Sequence, residues 1–289
     1  MKTLSTLTKT PIIMFSILSS LVGYAMSFEM GRRVEFSEVL ILILGLYAVC
    51  AGSFAINQAQ EWKRDALMDR TRHRPIPMGL VQPWQAYVFG FLFLAFGLSF
   101  LYVLKPLTAE LALLTVVLYN GLYTLVLKRQ LAFGAVPGAI PGAMPVMIGY
   151  SVNSDAVFSP ECLYLFLIMF LWQMPHFWCL AIRYRQDYRK GGFPVLPLQV
   201  GVGKTLYHIG LYMFAYVGLA MASPWFLKAN VLYVLLVVPL CAKVLWEFAR
   251  YHRAGGEQGW LKFFLWVNLS MLVFIGVPVF DKWLFFLWT

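Results

Sequence analysis

Three side chains that end in oxygen, Asn57, Glu61 and Asp65, recur at intervals of four in the stretch NQAQEWKRDALMDRTRHRPIP, residues 57–77. In a helix, each step of four residues overshoots one full turn by only about 40°, so the three share one stripe of the surface. A stripe of one amide and two carboxylates suits Mg²⁺. That hard cation takes oxygen ligands, keeps several waters, and is held by one or two carboxylates together with substrate phosphates. Arg70, Arg72 and Arg74 follow within two turns, and guanidinium forks match phosphate oxygens. The competing reading is a solvated basic loop whose acids only balance its arginines. An amide and two acids on a single face argue for the first.

A second charged cluster, Arg183, Arg185 and Asp187 with Tyr188, closes a long apolar run that contains Pro175 and His176. Pro175 has no N–H to donate and is expected to kink the helix and turn His176 toward the interior. Lys128 and Arg129 end another apolar run and serve equally well as topology signals or as anion contacts. Gly134, Gly138, Gly142 and Ala143 recur at helical spacing, as close helix packing requires. The four cysteines, Cys50, Cys162, Cys179 and Cys241, form no C-x-x-C pair, so neither a zinc site nor a disulfide framework is expected.

These residues need a scaffold, and the composition names its class. Of 289 residues, 61% are hydrophobic and 12% charged, whereas soluble domains carry about a quarter charged. The apolar residues fall in blocks near the roughly 20 residues that cross a bilayer as helix. Residues 39–51 and 163–171 are apolar almost throughout, without the alternation of a membrane β-strand. The expectation is an all-α integral membrane protein, one polytopic domain over residues 1–289. Its bundle has about nine transmembrane helices, near 11–28, 38–57, 84–104, 109–127, 133–151, 161–182, 205–225, 229–249 and 261–280. The first block starts at Pro11 behind Lys2 and Lys9 and reads as a retained helix, not a cleaved signal peptide.

Basic residues set the orientation. With the N-terminus in the cytoplasm and the C-terminus outside, 17 Lys and Arg fall on the inner side. Only Arg32, Arg33, Lys105, Lys228 and Lys282 fall outside, and Lys243, near a helix end, is assigned to neither side. The net charge of +10 is then a matter of topology in a bacterial plasma or inner membrane, and no nucleic acid is implied. The two charged clusters come to the same, cytoplasmic side, where they can share a site.

The pattern of Asn57, Glu61, Asp65, Met68, Arg70, Thr71, Arg74 and Pro75 resembles the first signature of the UbiA-type intramembrane prenyltransferases, except that Glu61 stands where Asp is usual. Leu171 to Gly201, with PHFW, AIRY, Asp187-Tyr188 and a Gly-Gly-x-Pro turn, resembles the haem O synthase branch. Relatives acting on quinone precursors carry a second D-x-x-x-D there. Residues 123–129 and 138–149 and the opening from Lys9 to Gly23 are similar as well, so the likeness runs from about residue 9 to residue 280.

The resemblance implies that Asn57, Glu61, Asp65 and Asp187 hold Mg²⁺. It further implies that Asp65, Asp187, Arg70 and Tyr188 act in ionising a prenyl diphosphate, with Arg72, Arg74, Lys128, Arg129, Arg183 and Arg185 binding it. The substrates it implies are farnesyl diphosphate and haem b, whose vinyl group gains a hydroxyethylfarnesyl substituent. An allylic cation formed on the way would be steadied by Tyr119, Tyr123 and Trp172. Among His73, His176, His208 and His252, the one chosen to hold haem is His176, three turns before Asp187; His73, inside the diphosphate motif, suits phosphate. Association with a haem A synthase or a terminal oxidase assembly is compatible with that chemistry. The alternatives are another UbiA-type enzyme with a quinone precursor or chlorophyllide acceptor, and a transporter, which would place its polar groups at the midplane.

Overall fold

The computed structural model describes residues 2–29, 31–227 and 231–288; Lys228, assigned above to the outer side, lies outside the described residues. Among them the chain is helical, with no strand. A short α1 (Lys2–Thr8) leads into α2 (Thr10–Ser27), α3 (Phe36–Asp65) and α4 (Pro83–Leu104). Next, α5 (Pro106–Val116) runs on as a π-helix over Val117–Leu127 and ends as α6 (Lys128–Gln130). The chain continues with α7 (Ala135–Ser151), α8 (Pro160–Arg183), the short α9 (Arg185–Lys190) and α10 (Leu196–Gln199), then α11 (Gly201–Met221), α12 (Val231–Arg253) and α13 (Trp260–Trp288).

Among the described residues, seven helical spans are long and apolar enough to cross a membrane, one of them the continuous run Pro106–Gln130. The expected spans at 133–151 and 205–225 are helical, as α7 and α11, but fall outside that set. Large apolar side chains cover the flanks, Phe91, Leu92 and Phe96 on α4 among them, which suits a surface whose solvent is lipid. Every backbone group in such a span must be satisfied within the protein, and helices do this.

Two close crossings arrange the bundle. Along α3 and α4, Gly45 and Gly52 oppose Gly97 and Gly90; a Cβ on Gly97 would sit 2.6 Å from the Gly45 carbonyl oxygen. On α2 and α7, a Cβ on Gly149 would sit 1.8 Å from the Ser20 carbonyl oxygen, and one on Gly23 2.0 Å from that of Val146. Only glycine permits these backbones to touch. The expected small-residue positions on α7 do a different job: a Cβ on Gly138 would strike the Tyr123 ring, and one on Gly142 the Gln173 amide. Those glycines make room for side chains that line the interior. The last helix closes on the first: Lys282 donates to the carbonyls of Met26 and Phe28, and Trp283 Nε1 to that of Ala25.

Candidate active site

Helix α3 runs on through Asp65, well past its apolar part, and carries Asn57, Glu61 and Asp65 into the interior, each 3% exposed or less. A buried carboxylate is costly unless paired, and each of the three has a cation. Lys9 Nζ donates to Asn57 Oδ1 at 2.8 Å, Lys128 Nζ to Glu61 Oε2 at 2.7 Å, and Arg74 Nη1 to Asp65 Oδ2 at 2.6 Å. The cations come from three separate segments: the start of α2, the end of the π-helix and the turn after α3. Asn57 Nδ2 bridges to Glu61 Oε2 at 3.1 Å and Thr124 Oγ1 at 3.2 Å. Lys9 has φ 53°, the left-handed region, at the cap of α2. Burial pushes its ammonium down to about 7; Arg74 and Lys128 lower it further, and Glu61 and Asp65 oppose them.

The second cluster meets the first through the backbone. The Arg70 N–H donates to Asp187 Oδ2 at 3.0 Å, and the Arg70 guanidinium lies over the rings of Tyr184 at 5.6 Å and Tyr188 at 5.8 Å. Beside it Asp69 pairs with Lys190 and, at 3.6 Å, with Arg72; the Lys190 ammonium holds the Asp69 carboxyl below the usual range. The loop after α3 is thus tied to α9.

A cavity of about 410 Å³ opens between these groups. Lys9, Glu61, Asp65, Arg70, Arg74 and Lys128 line its charged part, and Ile12, Phe15, Leu46, Val49, Val116 and Ile148 its apolar part. Tyr119, Tyr123, Trp172, His176 and Tyr188 also line it. Tyr119 and Tyr123, 6.0 Å apart and stacked, reach the cavity from the π-helix. Its buried Asn120 and Thr124 face α3, with Asn120 exchanging hydrogen bonds with Ser53 at 2.6 and 2.9 Å.

The remaining expected residues lie around the cavity instead of on its wall. Asn57 stands behind Glu61, and Asp187 is half-buried against the Arg70 backbone. Arg129 donates to the Gln60 carbonyl at 3.1 Å. Arg72 is exposed, Arg185 is half-buried on α9, and Arg183 is exposed over Trp260 at 5.5 Å. Sequence reasoning gave Lys9 no site role, placing it among the topology charges and in the family-like opening, and missed Thr124, Gln173 and Phe193. The ring of Phe193 carries the ammonium of Lys128 at 4.8 Å. Of the histidines only His176 lines the cavity.

The residues present fit a hard divalent cation. Glu61 Oε1 is buried with no hydrogen-bond partner, an oxygen that a cation would satisfy. Among the described residues no three acidic, His or Cys groups converge. The donors on offer are therefore one or two carboxylates at a time, the set Mg²⁺ takes alongside phosphates and water.

A membrane bundle whose cavity is charged in one part and apolar in the rest belongs to the class of proteins that handle amphiphiles with an anionic head. The model of the UbiA prenyltransferase family matches residues 16–270. The chain is 50% identical to the protoheme IX farnesyltransferase of Bdellovibrio bacteriovorus, over 96% of each chain. It is 36% identical to that of Leptospira biflexa, over 83% of this chain and 85% of the other. Its fold matches a digeranylgeranylglyceryl phosphate synthase structure (TM-score 0.77, 19% identity, 96% and 98% of the two chains). It also matches a UbiA homolog from Archaeoglobus fulgidus bound to DMAPP and Mg²⁺ (TM-score 0.68, 14% identity, 96% and 99%). The chain belongs to the UbiA prenyltransferase family. It is a multi-pass membrane enzyme that transfers prenyl groups.

Proposed function

We propose that this enzyme transfers the farnesyl group of farnesyl diphosphate to a vinyl group of haem b. The observation that carries the reading is the single cavity in which Lys9, Arg70, Arg74 and Lys128 crowd one part while apolar and aromatic walls form the rest. The relatives named above supply the choice of substrates.

The diphosphate head enters among the cations, and the isoprenoid chain lies along Ile12, Phe15, Leu46, Val49 and Val116. Glu61 and Asp65 on the cavity wall would hold Mg²⁺, with Asn57 orienting Glu61 from behind and Asp187 holding the Arg70 turn; the ion would supply charge neutralisation to the departing diphosphate. Arg70, Arg74 and Lys128 bind the non-bridging oxygens and favour cleavage of the C1–O bond as negative charge grows there; Arg72, Arg129, Arg183 and Arg185 add to the positive field at the mouth. Tyr188 braces Arg70. The rings of Tyr119, Tyr123 and Trp172 exclude water and stabilise the allylic cation. The terminal vinyl carbon of haem b bonds to C1. The positive charge moves to the carbon beside the pyrrole, water adds there, and one proton leaves. No nucleophile on the protein is needed.

His176 holds the haem acceptor. The charged part of the cavity faces the cytoplasm of a bacterial inner membrane, with the N-terminus inside and the C-terminus outside, so both polar head groups arrive from water. A haem A synthase or an oxidase assembly is the partner that would take the product.

The deciding experiment incubates the purified protein with haem b, farnesyl diphosphate and Mg²⁺, and identifies the haem by mass spectrometry. A hydroxyethylfarnesyl haem is expected. Unchanged haem b, with farnesyl transfer when a quinone precursor is supplied in its place, would move the enzyme to another branch of the family.

A further inference from the structure

His176 is held by a residue that the prenyl-transfer steps do not use. Its Nδ1 lies 3.0 Å from Oδ1 of Asn268, which reaches it from α13. The Asn268 Nδ2 donates to the Phe264 carbonyl at 2.6 Å within the same helix. An amide turned the other way would press its oxygen on that carbonyl, so the atom Asn268 offers the imidazole is an acceptor. Nδ1 therefore carries a proton. Nε2 has no hydrogen-bond partner among the described residues, and the ring lines the cavity, held between Trp172 at 4.7 Å and Phe264 at 4.8 Å.

We propose that Asn268 is a positioning residue for the acceptor: it fixes His176 as the Nδ1–H tautomer and directs Nε2, with its lone pair, to the iron of the bound haem. The inference rests on the haem reading given above. An imidazole that donates its other N–H is oriented and made a better ligand. Asn268 does this with a neutral acceptor, which avoids a charge in apolar surroundings. The other histidines lack such an arrangement: His73 and His252 are exposed, and His208 packs edge-on to Phe133 at 5.0 Å.

The test uses the full-length protein labelled with ¹⁵N-histidine in detergent, without haem. His176→Gln assigns its resonances. An Nδ1–H signal in the parent that persists in Asn268→Asp, and becomes a tautomer mixture in Asn268→Leu, is expected. Haem b titration followed in the Soret band should then show weaker binding by about 10- to 100-fold in Asn268→Leu, with the Asp variant close to the parent. An Nε2–H signal in the parent overturns the inference whatever the acceptor is. Equal haem affinity and spectrum in the parent and Asn268→Leu also overturns it, while leaving haem as the substrate. A Soret spectrum unchanged by His176→Gln removes haem ligation from His176, and the inference falls with that part of the reading.

Discussion

Asp65 is 1% exposed and receives Arg74 at 2.6 Å, so its carboxylate is oriented before any substrate arrives. Asp65→Ala should lower the rate of prenyl transfer by at least about a hundredfold, as loss of one charge-stabilising group does in other sites, while the protein stays folded and inserted. A steady-state assay paired with a thermal melt in detergent checks this, and activity within a few-fold of the parent would take Asp65 out of the metal site. Glu61→Asp should retain more activity than Glu61→Ala, because the shorter acid keeps a carboxylate for Lys128 and the cation. Equal loss in both variants would mean that Glu61 is not a ligand. The sequence made Asn57, Glu61 and Asp65 legible because their spacing matches the helix repeat. It hid Lys9, 48 residues away from Asn57 in the chain, because a Lys ahead of a first apolar block, like Lys2 before it, looks like any other topology signal.

At the scale of elements, the α2–α7 crossing depends on backbones in contact. Gly149→Ala would set a Cβ 1.8 Å from the Ser20 carbonyl oxygen, and backbone cannot yield as a side chain tip can. It should cost about 1–3 kcal/mol or more, seen as a lower thermal midpoint. Gly218→Ala, with open space around its Cβ, serves as the control and should be neutral. Hydropathy located α2, α4, α8 and α12 to within a few residues, since each is a long apolar block. It stopped the second span at residue 57, whereas α3 continues to Asp65, because the charged turns that carry the site are stabilised by partners distant in sequence. The π-helix over Val117–Leu127 was not legible either. Its residues suit an ordinary helix, and what holds the wider turn, such as the Asn120–Ser53 exchange, lies on another element.

The whole molecule brings an acidic stripe and an apolar wall to one cavity, and the proposed reading gives the two substrates different parts of it. Chelating Mg²⁺ should therefore stop turnover and weaken farnesyl diphosphate binding, while haem b still shifts its Soret band on addition of protein. Loss of that shift on chelation would mean that the two substrates share groups. The ring of helices has one further property. Every residue lining the cavity lies between Lys9 and Phe193, yet the contact that joins α2 to α13 spans more than 250 residues, Lys282 to Met26 and Trp283 to Ala25. A chain growing from its N-terminus thus makes these lining residues before it makes the helix that holds His176 and joins the bundle's two ends. The last of the described helices is a keystone: until it arrives, α2 and α8 each lack a helix that packs against them.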